Sequence, residues 1–61
     1  MRDRTELPTT EVVRRTGVTS RTLRHYDRIG LLVPVRTGAG GMRWYGPDEL
    51  VRLQRILVLR E

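Results

Sequence analysis

The strongest periodicity lies near the end of the chain, where Leu50, Leu53, Ile56 and Leu57 recur at helical spacing. A clear start signal precedes them: Gly46 suits a cap, Pro47 the first helical position, and Asp48 and Glu49 the positive end of the helix dipole. The pattern predicts a helix over 47–61. Val51, Val58 and Leu59 widen the apolar stripe at its far end until much of the circumference is apolar. Such a face predicts a packing partner, either a further segment of the chain or a second chain.

A second period runs through Arg21–Ile29, with Thr19 or Ser20 as cap and Gly30 as stop. Projected at about 100° per residue, Arg21, Arg24, His25 and Arg28 fall within one arc of roughly 100°, with Leu23, Tyr26 and Ile29 on the other side. One face packs and the other is a cationic ridge. Upstream, Thr9–Thr16 reads as a short helix, with hydroxyls and Glu11 at its start, Arg14 and Arg15 near its end and Gly17 as its stop. Only Gly17, Val18 and the cap separate the two helices. A corner that short between two short helices predicts a helix-turn-helix over 9–30, an ordinary helical hairpin being the alternative with the same spacing.

Between these helical stretches, Leu31–Arg36 and Met42–Tyr45 are β-prone runs that bracket Thr37-Gly38-Ala39-Gly40-Gly41. They predict a two-stranded hairpin with a flexible tip, a wing over 32–45, with Pro34 at an edge or strand start because it lacks a backbone donor. Alternation puts Met42 and Trp44 on one face and Arg43 and Tyr45 on the other, and Trp44 is expected to cover the core. The fold class that follows is mainly α: a winged helix-turn-helix of three helices and a two-stranded β-hairpin wing, in one domain over 1–61.

Composition narrows what such a domain does. Sixty-one residues exclude a multi-domain enzyme. A chain this short buries only about 60% of the surface its unfolded form exposes, so any core is thin. Twelve arginines, no lysine and seven acids leave a net charge of +5. Paired guanidinium donors suit phosphate and guanine, which makes nucleic acid the leading partner class ahead of an acidic membrane face. The hydrophobic share of 38% against 31% charged is too apolar for a disordered polycation. No apolar run approaches the ~20 residues of a membrane span, and Met1–Glu6 lacks the apolar stretch of a secretory leader.

Inside the second helix only Asp27 offers a counter-charge, so three arginines on one face repel one another unless an outside anion compensates. That favours DNA contact over a merely solvated face. Catalysis is disfavoured. The single His25 lies two residues from Asp27 on a helix, where the two point apart, and no Cys, Lys or Gly-rich phosphate loop completes a site. No metal site or cofactor is expected in this segment.

The run Thr16–Leu32, followed by Met42-Arg43-Trp44-Tyr45 and then Asp48–Leu57, resembles the amino-terminal DNA-binding domain of the MerR family of transcriptional regulators. The resemblance covers Leu7 to Glu61. It implies a recognition helix in the major groove, a wing on flanking phosphates or the minor groove, and a cytoplasmic, nucleoid-associated regulator. It also implies a homodimer on an inverted-repeat promoter operator, formed through a carboxy-terminal helix beyond this segment, and RNA polymerase as a partner at the promoter. Positions matching Arg21, Arg24, His25 and Tyr26 supply helix contacts in that family, and those matching Arg43 and Tyr45 supply wing contacts. His25 stands where Tyr is frequent and Met42 where an aromatic is frequent, differences that bear on operator sequence.

Physical roles follow for the individual residues. Arg21, at the helix amino terminus, is best placed to read a base edge. Arg24, Arg28, Arg36 and Arg43 are expected to grip phosphates, with the Thr19 and Ser20 hydroxyls adding neutral contacts. His25 is expected to hydrogen-bond DNA, while Tyr26 turns its ring to the core and its hydroxyl toward a phosphate. Two other readings fit a short basic winged domain: an excisionase-like architectural DNA-binding protein, and an interaction or membrane-surface module using the arginine-rich helix.

Overall fold

Two left-handed glycines set the corners around the second helix. In the computed structural model, which describes residues 5–59, helix α1 spans Thr9–Thr16 and ends at Gly17, whose φ of 79° lets its N–H return to the Val13 carbonyl at 2.9 Å. The Thr16 hydroxyl ties the same corner, donating to the Val12 carbonyl at 2.8 Å and accepting from the Val18 N–H at 3.1 Å. Helix α2, Ser20–Arg28, then starts under a Thr19 cap whose Oγ1 accepts the Thr22 N–H at 3.1 Å. Nothing stands within 4 Å of where a Gly17 Cβ would sit, so a substitution there is opposed by backbone conformation alone. Gly17→Ala is expected to cost about 1 kcal/mol and to lower Tm by roughly 5 °C in a thermal melt.

Gly30, at φ 76°, sets the second corner. The N–H groups of Leu31 and Leu32 both donate to the Tyr26 carbonyl, at 2.8 and 3.2 Å, which folds the chain back under α2. Leu32 therefore fills the core and Ile29 does not: Ile29 is 57% exposed, against its expected inward place. The helix has ended at Arg28, and Ile29, expected with Leu23 and Tyr26, projects only about 40° from His25, at the border of the ridge rather than opposite it.

The wing is shorter than the β-prone runs and the sheet is wider than a hairpin. Strands β1 (Leu7–Pro8), β2 (Arg36–Thr37) and β3 (Arg43–Tyr45) form an antiparallel sheet in the order β1-β3-β2, with one 3₁₀ turn over Ala39–Gly41 at the wing tip. Leu7 pairs with Tyr45 and Pro8 with Trp44 on one side of β3; Arg36 pairs with Trp44 and Thr37 with Arg43 on the other. Pro34 lies outside every strand, because Leu31 and Leu32 are used in the turn beneath α2. Two residues are too few to show a period, so strand β1, which joins the hairpin as an added edge, carries no alternation signal.

Helix α3, Pro47–Leu59, begins as its start signal implies: the Gly46 carbonyl accepts the Leu50 N–H at 3.0 Å and the Glu49 carboxylate reaches back to the Gly46 N–H at 3.0 Å. Residues 60 and 61 of the expected helix lie outside the described residues. The core is Val12, Val18, Leu23, Tyr26, Leu32, Tyr45 and Leu53, with Leu7, Val13, Leu50, Ile56 and Leu57 packed against it. Leu50, Leu53, Ile56 and Leu57 thus face inward, while Val51, Val58 and Leu59 are exposed. No helix among the described residues is long and apolar enough to cross a membrane.

Candidate nucleic-acid interface

Helix α2 carries its chemistry on the side opposite Leu23 and Tyr26. Those two residues fix its rotation by packing into the core, and Arg21, Arg24, His25 and Arg28 are all exposed as a consequence. None of Arg21, Arg24 and Arg28 has an ion-pair partner among the described residues, whereas Arg14 and Arg15 on α1 both pair with Glu11. The Glu11 carboxyl is held below the usual carboxylate range chiefly by its hydrogen bond from Arg14, then by that from Arg15. The two cations of α1 therefore share one internal carboxylate, whereas the three arginines of the α2 ridge have none. Like charges sharing a helix face in this way favour an external polyanion.

The wing stands beside this ridge and closes it into a concave surface. Arg21, Thr22, Arg24, His25, Asp27, Arg28 and Arg43 line an open cleft of about 860 Å³. Arg43 comes from β3, and its Nε donates to the Asp27 carboxylate at 3.0 Å. Its own carbonyl accepts the Thr9 hydroxyl at 3.1 Å. Both helices of the helix-turn-helix therefore hold this one wing residue in place. Arg24 and Arg43 also border a smaller recess of about 240 Å³ that contains Ser20, Thr9, Thr10 and the wing-tip glycines Gly40 and Gly41.

Three expected site residues, Thr19, Arg36 and Tyr45, are placed differently. The Thr19 hydroxyl is engaged in capping: it accepts the Thr22 N–H and donates its proton to Thr22 Oγ1 at 2.9 Å. Arg36 lies away from the cleft, its Nε donating to Glu6 at 2.7 Å and its guanidinium 4.5 Å from the centroid of the Trp44 ring, its partner across the strands. Tyr26 packs its ring into the core, as expected. Tyr45, expected at the DNA surface, is 0% exposed in the core, and Trp44, expected to cover that core, is only half-buried beneath Arg36. The reason is the face of β3 that packs against the helices: it presents Arg43 to Asp27 and Tyr45 to the core, so the predicted alternation holds while its two faces exchange roles. The Tyr45 hydroxyl is buried beside Thr9 but has no partner at hydrogen-bonding geometry, since the Thr9 hydroxyl donates instead to the Arg43 carbonyl. Burial pushes its pKa up, partly offset by Arg43.

Asp27 and Thr22 are the cleft residues that the sequence reading did not place in the site. Asp27 could have been found as the one acid flanking a cationic ridge, but its partner, 16 positions away on the wing, depends on how the hairpin docks. Among the described residues no group of His, Asp and Glu side chains is arranged to hold a metal ion.

Comparison with known proteins gives a consistent picture. The family described as "MerR HTH family regulatory protein" matches residues 7–61. The transcriptional regulator BrlR of Pseudomonas aeruginosa is 54% identical over 44 residues, covering 70% of this chain and 16% of its own length. The crystal structure of the HTH-type transcriptional regulator SkgA from Caulobacter crescentus superposes with a TM-score of 0.79 at 43% identity, over 95% of this chain and 42% of that one. The amino-terminal portion of MtaN, the Bacillus subtilis multidrug transporter activator, superposes with a TM-score of 0.80 at 41% identity, over 88% of this chain and 51% of that one. The chain thus spans a minor part of the full-length regulator and about half or less of the crystallised chains. BrlR and SkgA are named as transcriptional regulators, and MtaN as a transporter activator.

Proposed function

Because the chain belongs to the MerR HTH family of regulatory proteins, we propose that it binds double-stranded DNA sequence-specifically to regulate transcription, with α2 in the major groove and the wing on the flanking backbone. The observation that carries this reading is the set of uncompensated guanidinium groups of Arg21, Arg24 and Arg28, which share one cleft with His25 and the wing's Arg43. Arg21, in the first turn of α2, reads a base edge; Arg24, Arg28 and Arg43 hold phosphates; His25 adds a hydrogen bond, and Ser20 a neutral contact. The longer relatives and the exposed Val51, Val58 and Leu59 on α3 support the remainder of the reading. In the whole cytoplasmic regulator, two copies read the halves of an inverted-repeat operator on nucleoid DNA, where RNA polymerase engages the same promoter. A family match over 7–61 favours this regulator over an architectural excisionase-like role.

The test separates reading from gripping. Arg21→Ala is expected to lose roughly 1–3 kcal/mol of discrimination between a selected duplex and single-base variants of it. Arg43→Ala is expected to weaken binding to every duplex and to flatten the salt slope by about 1. Anisotropy titrations at several salt concentrations measure both. Binding of both variants indistinguishable from the parent would refute the reading.

A further inference from the structure

An acid lines this cationic surface. Asp27 lines the same cleft as Arg21, Arg24, Arg28 and Arg43. On electrostatic grounds alone a carboxylate there opposes binding of a polyanion, since it cancels one positive charge and repels phosphate. Its geometry supplies a compensating effect. Asp27 and Arg43 side chains are each 26% exposed, so their ion pair is less screened than one on the open surface. The carboxylate engages only Nε of Arg43, and the terminal Nη1 and Nη2 have no partner among the described residues. The Arg43 backbone is fixed independently, by the Thr9 hydroxyl and by strands on both sides of β3.

From this arrangement, and resting on the DNA-binding reading above, we infer that Asp27 is a positioning residue: it clamps the Nε edge of Arg43 so that the Nη pair is presented as a preorganised fork to a backbone phosphate beside the recognition helix. A free arginine side chain loses much rotamer freedom when it grips a phosphate; one already held at its neck loses less. The short Asp27 side chain, rooted in a helix packed on the core, is a stiffer anchor than a surface loop. The clamp also couples the wing to α2, so the phosphate grip and the base-reading face keep a fixed spacing.

Charge and positioning predict opposite signs. Asp27→Asn raises the net charge, and pure electrostatics would tighten DNA binding. Positioning predicts that it weakens binding about tenfold to a duplex selected by the parent from a random-sequence pool, the scale of one impaired charge-assisted contact. In an Arg43→Ala background the same change should weaken binding less than about twofold, because the residue it acts through is gone. Asp27→Glu should restore most of the affinity. Far-UV circular dichroism checks folding, and Asp27→Ser enters the same cycle if Asp27→Asn does not fold. If Asp27→Asn binds as tightly as the parent or more tightly, or weakens binding equally in both backgrounds, while Arg43→Ala is impaired, the clamp is overturned and the DNA-binding reading stands. If Arg43→Ala binds selected and unselected duplexes as the parent does, the DNA reading falls and takes the clamp with it.

Discussion

Tyr45→Ala is expected to leave the domain largely unfolded at room temperature, with loss of helical circular dichroism and of amide dispersion in NMR spectra. The ring is completely buried and is the largest fully buried side chain. Truncating a buried aromatic costs about 3–5 kcal/mol, and a core of this size rarely supplies more than about 3–5 kcal/mol in total. Tyr45→Phe should behave in the opposite way. It keeps the ring and removes a buried hydroxyl that has no well-placed partner, so stability is expected to be equal to the parent's or higher by up to about 1 kcal/mol. Tyr45→Phe also differs from the parent in alkali. Burial raises the Tyr45 phenol above its ordinary 10.0, so the folded chain holds that proton after the unfolded chain has released it. This contribution is fully present below pH ~10 and is lost as pH climbs through the raised folded value. Tyr45→Phe should remove that part of the alkaline loss, as urea titrations at a series of pH values would record. A stably folded Tyr45→Ala would show that the sheet is not pinned to the helices through this ring.

The second large effect expected is on salt dependence. With Arg24, Arg28 and Arg43 on three phosphates, log affinity against log salt should have a slope of about −2.7, a loss of about fortyfold between 50 and 200 mM salt. Replacing Arg24 and Arg28 together by Gln should reduce the slope to about −0.9 and the loss to about fourfold over the same range. A parent slope near −3.6 would mean that Arg36 leaves Glu6 and Trp44 to take a fourth phosphate. A parent slope near zero, or a double variant whose slope matches the parent's, would remove phosphate gripping from the account of α2.

Much of this architecture was legible because it depends on local rules. Helix α1 stops at a glycine because Gly17 adopts a left-handed conformation at little steric cost. Helix α2 starts under Thr19 because a hydroxyl there satisfies an otherwise orphaned N–H. Burial of Leu23 and Tyr26 turns the arginines outward, so the ridge follows from period alone. Strand β1 was not legible, nor was the outward place of Ile29, because each depends on where a distant segment docks or where a turn ends the helix.

The site divides along the same line. The identities and common face of Arg21, Arg24, His25 and Arg28 are properties of one helix, and the 3.6-residue repeat was sufficient to read them. Which wing residues join that face is a property of packing. Alternation correctly separated Trp44 from Arg43 and Tyr45, but the choice of buried face was made when β3 paired with Leu7–Pro8 and set Tyr45 against the helices. That choice buried a residue expected on the surface, left Trp44 stacked with Arg36, and brought Arg43 to Asp27. By itself the sequence determined the helices, the cationic ridge and the apolar stripe of α3, since each arises from neighbours a few positions apart. Only the tertiary structure decided which arginine stands beside the ridge and which acid holds it, because that ion pair joins residues 16 positions apart on elements whose contact is set by the shared core.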